Sequence, residues 1–400
     1  MHRPRKAPLV AAGARPDAAQ PHGDPTTLLV RLARTLAWQR ARSVLAVRLD
    51  NLGDVLMTTP ALTALAAGGA RQVTLLASGA GAALAAHVPA IADVIAFDAP
   101  WVSGRVGDPR DERRVVAQLA RRRFDAAVVF TVCTQSALPA ALLCRLAGIP
   151  LRAAHSRENP YALLTDWVPD TDLCGPGMRH EVSRQLDLVG AVGIPAHADR
   201  LVFEYGAAER DAALQKLVQA GGRVDRPWIV VHPGSTAASR RYPPERFGQA
   251  ARRIAAWSGA QIVFSGGTAD IGACTQAQRA MVVPSVSLAG MLGLGELGAL
   301  IGGARLLVCN NSGPAHLAAA VGTPSVVLYA LTNPQHTPWR APTRVLNREV
   351  PCRDCLRSVC PEGHHACLLG VLPEEVADAA LELWREPMVS RQPLRGVRAV

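Results

Sequence analysis

The chain has 400 residues, 49% of them hydrophobic, 19% charged and 4% aromatic, with a formal net charge of +11. This composition excludes wholesale disorder, coiled coil and collagen-like repeats, and the length predicts two domains of roughly 150–200 residues each. No uninterrupted apolar run reaches the roughly 18 residues needed to span a bilayer, since the longest, Leu288 to Cys309, is broken by Glu296, Arg305 and several glycines.

Only Lys6 and Lys216 are lysines, so the 43 basic residues are almost all arginine. Arginine grips phosphate and carboxylate bidentately, which suits nucleic acid, anionic lipid or phosphorylated substrates, although an arginine-biased genome gives the same count. The few aromatics argue against a stacking platform for single strands. No recognition-helix, zinc-finger or RNP pattern appears, so no nucleic-acid partner is expected.

In chain order, residues 1–40 read as a disordered basic arm followed by a lead-in helix. The apolar stretch Ala7 to Ala12 is too thin for a secretory core, which makes the cytoplasm the default compartment. A first α/β domain is expected over 41–205. Its strands are Val44 to Leu49, Val73 to Ala77, Val94 to Phe97 and Ala126 to Thr131, with helices after Gly53, from Asp111 to Arg122 and from Ser136 to Ala147. The stretch Trp167 to Pro195 is less regular, with one helix from His180 to Val192. A second α/β domain is expected over 206–370, with strands Trp228 to His232, Gln261 to Ser265, Leu306 to Cys309 and Ser325 to Tyr329. A cysteine-rich loop over 351–368 leads to a helix, Pro373 to Trp384, and a frayed tail in the last segment, 371–400. Short buried strands alternating with helices predict two doubly wound, Rossmann-like parallel sheets facing a cleft, with ligands at the carboxyl ends of strands.

Three strand-to-loop segments carry candidate chemistry. In VLAVRLDNLGDVLMTTPAL, Gly53 permits close backbone approach and Asp54 opens a helix, either as an N-cap or as a general base at the cleft. In VVHPGSTAASRRYPPERF, Arg240 and Arg241 follow a strand and can clamp phosphates. Asp270, just beyond the next strand, can accept from ribose or sugar hydroxyls. In VCNNSGPAHLAAAVGTPSVVL, Asn311 or Ser312 caps a helix whose N–H groups near Gly313, Ala315 and His316 suit a diphosphate. The alternative there is a well-capped helix with a packed histidine.

These segments, in this order and spacing, resemble glycosyltransferase family 9, and most closely the lipopolysaccharide heptosyltransferases. The tail PCRDCLRSVCPEGHHACLLGVLPEEV resembles the heptosyltransferase II-like members. The resemblance covers about Val44 to Trp384 and implies a GT-B architecture. It implies an inverting transfer of heptose from ADP-heptose to the phosphorylated inner core of lipopolysaccharide, at the inner face of the cytoplasmic membrane and with peripheral contact to anionic lipid. It places the general base on Asp54, with Gly53 and the basic Arg48 on the acceptor side. It places the donor-phosphate contact on Arg240 with Arg241 beside it, the nucleoside carboxylate on Asp270, and the donor motif on Asn311, Ser312, Gly313, Pro314 and His316. Three positions depart from the family pattern: Asn311 for Asp, Arg240 for lysine and Tyr242 for tryptophan. They leave open a family 9 transferase using another nucleotide sugar or acceptor, and beside it a non-catalytic nucleotide-sugar or polyanion binder.

No cofactor is expected to be required, because fixed dipoles and arginine can meet the leaving charge. Cys352, Cys355, Cys360 and Cys367, with His364 and His365 between the last two, can hold a structural zinc or an iron–sulfur centre, or stand as free thiols or a local disulfide. Cys133, Cys144, Cys174, Cys274 and Cys309 read as small core residues.

Overall fold

A computed structural model describes residues 25–387, apart from 70, 105, 173, 174 and 176. The expected arm, the frayed tail and Cys174 lie outside the described residues. The lead-in helix spans Pro25–Arg40.

The first sheet holds β1 (Ser43–Arg48), β2 (Gln72–Ala77), β3 (Asp93–Ala96), β4 (Ala126–Val129), β5 (Leu151–Ser156) and β6 (Asp166–Pro169) in the order 3-2-1-4-5-6. The second holds β7 (Trp228–His232), β8 (Gln261–Phe264), β9 (Val286–Ser287), β10 (Leu306–Asn310), β11 (Ser325–Leu328) and β12 (Thr343–Leu346), in the order 12-11-10-7-8-9. All ten pairings are parallel, Val44 facing Val73 on one side and Ala126 on the other, and Val230 facing Val263 and Leu307. Helices cover both faces, so the central strands are near-continuous apolar runs, as parallel sheets require. Each sheet reverses its winding between its first and fourth strands, β1 and β4 in one, β7 and β10 in the other. Those two switch points are where ligands are expected.

Four strands were not anticipated: β5, β6, β9 and β12. β6, β9 and β12 bring edge or short sequences without an apolar run. β5 carries Arg152 and His155 inward, tolerated because each is bonded to backbone: Arg152 Nε donates to Leu163 O at 2.7 Å, and His155 Nε2 lies 3.1 Å from Arg184 O.

The helices Leu52–Ala66 and Gly313–Val321 start at the cleft, one from each domain, and pack on each other. One apolar cluster runs from Trp38 and Val44 through Leu62 to Ala315, Leu317 and Tyr329, so the two domains share a core. At the rim His180 Nε2 is 2.8 Å from Thr337 O, and Trp339 Nε1 donates to Asp199 O at 2.8 Å.

Fully buried Asn310, at the end of β10, ties the loop after β7 to the sheet. Its Oδ1 accepts from Tyr242 N at 3.0 Å and its Nδ2 donates to Pro233 O at 2.7 Å. Asn310→Ala leaves both backbone groups unpaired in the interior, and the expected cost is about 2–4 kcal/mol. Urea unfolding checks this; a midpoint unchanged from the parent chain removes Asn310 as the anchor of that loop.

Candidate active site

Asp54 is not the N-cap of its helix. Asn51 is, and Asp54 stands at the third helical position, where its Oδ2 accepts from Asn51 N at 3.2 Å. Its other oxygen, Oδ1, lies 3.5 Å from Arg48 Nη2. Arg48 leaves β1 fully buried among three carboxylates: Asp50 at 3.0 Å, Glu181 at 2.9 Å and Asp54. None of its guanidinium nitrogens completes a directed hydrogen bond, so charge holds it there. Burial pushes Asp50 up to about 6, against the opposing pull of Arg48. Burial also works to raise Glu181, yet Arg48 and His336 outweigh it and hold that carboxyl down at about 2.

The second domain supplies the facing wall. Gly53 comes so close to His316 that a Cβ there would lie 2.9 Å from the imidazole Cδ2, and one on Gly313 would lie 3.3 Å from Leu52. The glycines let the two helix N-termini meet, which directs two positive dipole ends at one cleft. His316 is buried, and burial first, then the nearby His336, His180 and Arg240, drives it down to about 3. It is therefore a neutral ring at ordinary pH, with Nδ1 unpartnered. Arg240, on the turn Ala238–Arg240, has a buried Nε that is also unpartnered. Buried donors without partners are costly, and a cluster of them in a cleft marks a place that a polar ligand fills.

The remaining expected residues divide. Ser312 caps the helix by position, its Oγ turned to Gly234 O (3.4 Å) and Asn310 O (3.3 Å). Asn311 is buried, with Nδ2 3.4 Å from Asn333 Oδ1. The Ala315 N–H is spent on Ser312 O at 3.0 Å, which removes it from the expected set of anion donors. Asp270 sits half-buried against Gly234 and Gly266, its Oδ2 accepting from Gly267 N at 2.9 Å. Arg241 is exposed and spends its guanidinium on Ser235 O (2.7 Å) and Thr236 O (3.1 Å), so it braces the loop beside Arg240. Tyr242 is a core residue, its Oη donating to Val371 O at 2.9 Å.

Four side chains at the site stand outside the expected set. Asp50 receives Gln135 Nε2 at 2.7 Å. Glu181, His336 and His232 are buried, and burial lowers His232 to about 4, an effect Asp270 partly offsets. His232 lay in a quoted segment, and its place at the carboxyl end of β7 was the available hint.

The four cysteines of the 351–368 loop line one pocket of about 340 Å³ with His364 and His365. Cys352 Sγ is 3.9 Å from His364 Nε2, and all four are thiols. Among the described residues no group of three or more His, Cys, Asp or Glu side chains is arranged to hold a metal ion. The backbone of this loop supports the active site. Ser239 N donates to Ser358 O (2.9 Å) and Ser239 Oγ to Arg357 O (2.7 Å), while Asp354 N and Leu356 N donate to Leu331 O (2.7 Å) and Thr332 O (3.0 Å). Cys133, Cys144, Cys274 and Cys309 are buried, as their sequence setting suggests.

Residues 112–366 match the family model described as glycosyltransferase family 9 (heptosyltransferase). The chain is similar to lipopolysaccharide heptosyltransferase 2 of Escherichia coli (strain K12), 26% identical over 281 residues, 67% of this chain and 78% of the relative. It is also similar to lipopolysaccharide heptosyltransferase 1 of Pseudomonas aeruginosa, 27% identical over 334 residues, 79% of this chain and 87% of the relative. Its fold resembles the solved structure of E. coli ADP-heptose lps heptosyltransferase II, with a TM-score of 0.65, 22% identity, and coverage of 86% of this chain and 98% of that one. The architecture is GT-B.

His232 and His316 are buried neutral, so the unfolded chain takes up protons that the folded one refuses. Their stabilisation is full above about 6.5 and is lost as pH falls toward about 4 and 3. Asp50 has the opposite sign, stabilising below its ordinary range and less so as pH rises through about 6. Replacing His232 by Asn should flatten the dependence of unfolding free energy on pH between 4 and 6.5 by about one proton, or about 1.4 kcal/mol per pH unit. Denaturant melts across that range check it, an unchanged slope being the contrary result.

Proposed function

The chain belongs to glycosyltransferase family 9, and as its working reaction we propose transfer of heptose from ADP-heptose to the phosphorylated inner core of lipopolysaccharide, with inversion at the anomeric carbon. One observation carries the reading: His316 stands against Gly53, the neighbour of Asp54, where two helix N-termini meet, and His316 Nδ1 and the Nε of nearby Arg240 are buried without partners. Asp54 takes the proton from an acceptor hydroxyl as that oxygen attacks the anomeric carbon. The bond to the diphosphate breaks on the opposite face, and its departing negative charge is met by Arg240 and the N-terminal end of the helix Gly313–Val321. Asp270 accepts from the nucleoside, and Arg48 with Gly53 shapes the acceptor side. The names of the similar proteins support heptose and ADP as the donor.

A second reading, transfer of a different sugar, is favoured by Asn311. A buried neutral amide that points to Asn333 cannot offer sugar hydroxyls the anionic acceptor that an aspartate would. The transfer is proposed to run without a cofactor. For the cysteine-rich loop we propose a structural role, and a zinc ion there is tested by elemental analysis of the chain purified without chelators, one equivalent supporting it and none leaving free thiols. No helix among the described residues is long and apolar enough to cross a membrane. Work at the inner face of the cytoplasmic membrane, by peripheral contact with anionic lipid, is proposed on the arginine-rich charge; co-sedimentation that ignores anionic lipid content counts against it.

Titration calorimetry against ADP, UDP, GDP and ADP-heptose, with magnesium or with EDTA, tests the donor. ADP and ADP-heptose should bind selectively and equally well in EDTA. Preference for UDP or GDP moves the enzyme to another sugar, and no binding revives the polyanion binder. Asp54→Asn should lower turnover by about a thousandfold or more while the affinity for ADP stays within about twofold. Arg240→Ala should weaken ADP by about tenfold or more. Undiminished transfer by Asp54→Asn sinks the assignment of the base.

A further inference from the structure

Two buried ionisable side chains at the cleft have no part in the chemistry above. Glu181 opens the helix Glu181–Ala191 and is fully buried, an expensive placement for a carboxylate unless it is paired. Its Oε1 lies 2.9 Å from Arg48 Nη2. Its Oε2 makes no hydrogen bond and lies 3.8 Å from His336 Nε2, which makes none either. His336 belongs to the other domain, on the turn Pro334–His336 after β11. The opposite ring nitrogen, Nδ1, is 2.6 Å from Asn333 Nδ2 and 4.0 Å from Asp54 Oδ1. Asp54, Arg48, Glu181 and His336 therefore form a closed ring of ionisable groups. Three members come from the first domain and one crosses the cleft.

We infer that Glu181 and His336 are positioning residues for the transfer: docking of the second domain inserts His336 between Asp54 and Glu181, and that contact holds the Asp54 carboxyl group aimed at the acceptor. The inference rests on Asp54 being the base. Three carboxylates share one guanidinium, so the first domain alone carries excess negative charge that favours a proton on one of them. The imidazole that reaches them from the second domain lies 4.0 Å from Asp54 Oδ1 and 3.8 Å from Glu181 Oε2, and it stands there only when the domains that hold donor and acceptor are together. The groups facing Asp54 are Arg48 from β1, Asp50 and the Asn51 N–H from the loop that follows, Glu181 from its helix and His336 from its turn. Behind them stand His180, tied to Thr337 O, His316 beyond Gly53, and Arg240.

The test is the pH profile of kcat for heptose transfer from ADP-heptose to purified core acceptor, from pH 5 to 9. The full chain is compared with Glu181→Gln and His336→Gln, and Asp54→Asn is run in the same series. Glu181→Gln removes an anion beside the base and should move the acid limb down by roughly one pH unit. His336→Gln keeps a hydrogen-bonding group but takes away the one that can carry positive charge between Asp54 and Glu181, and should move that limb up by a similar amount. kcat should fall by about tenfold in each, with ADP affinity within about twofold. His336 is the less buried partner, so its variant keeps the test open where Glu181→Gln fails to fold. Limbs that stay put, or move in the same direction, overturn the inference even if kcat falls, because packing alone gives that result. If Asp54→Asn keeps its turnover, the base assignment has failed instead, a separate outcome read from a separate variant.

Discussion

The cleft depends on one buried guanidinium. Arg48 is withdrawn from water at the end of the first central strand, and its partners are the carboxylates that line the first domain's wall of the cleft. Burial of an ion pair is costly unless the charge is well balanced, and here the balance is uneven, three anions to one cation. That imbalance makes a cationic or hydrogen-bonding visitor from the facing domain favourable. Burial works to raise both Asp50 and Glu181, and it prevails only at Asp50: Glu181 has both Arg48 and His336 to hold it down, and Asp50 has Arg48 opposed by Asp54.

The facing wall is built on a different principle. It carries no excess of anions, but unpartnered donors and dipole ends: Arg240 Nε, His316 Nδ1 and the start of the helix Gly313–Val321. A polyanionic leaving group is suited to such a wall, because the groups that receive it are fixed before it arrives and need no reorganisation. Gly53 is the hinge of this arrangement in a steric sense. A Cβ there would meet the His316 ring at 2.9 Å, so a side chain at this position would displace the imidazole from the facing wall.

Much of this was legible in the sequence. β1, β7 and β10 announce themselves as apolar runs ending in small-residue loops, and those loops carry Gly53, Asp54, Arg240, Asn311, Ser312, Gly313 and His316 to the cleft. The edge strands were not legible, because β6 and β12 have no fully buried residue and show no apolar run. Glu181 reads as an ordinary first-turn acid that complements a helix dipole, and His336 stands in a loop without periodicity. Their meaning lies in a meeting across two domains that no local pattern records. Arg241 and Tyr242 show the converse: both stand in a telling motif, yet one braces a loop and the other fills the core.

The cysteine-rich loop is tied to the site by four hydrogen bonds that use its main-chain atoms, one of them to the Ser239 hydroxyl. A support written in backbone atoms is insensitive to composition and sensitive to length. The side chains of residues 351–368 can drift widely over evolutionary time while the four bonds to Ser239, Leu331 and Thr332 persist. A single-residue deletion between Asp354 and Ser358 would throw those bonds out of register together. The facing wall therefore inherits the loop's spacing.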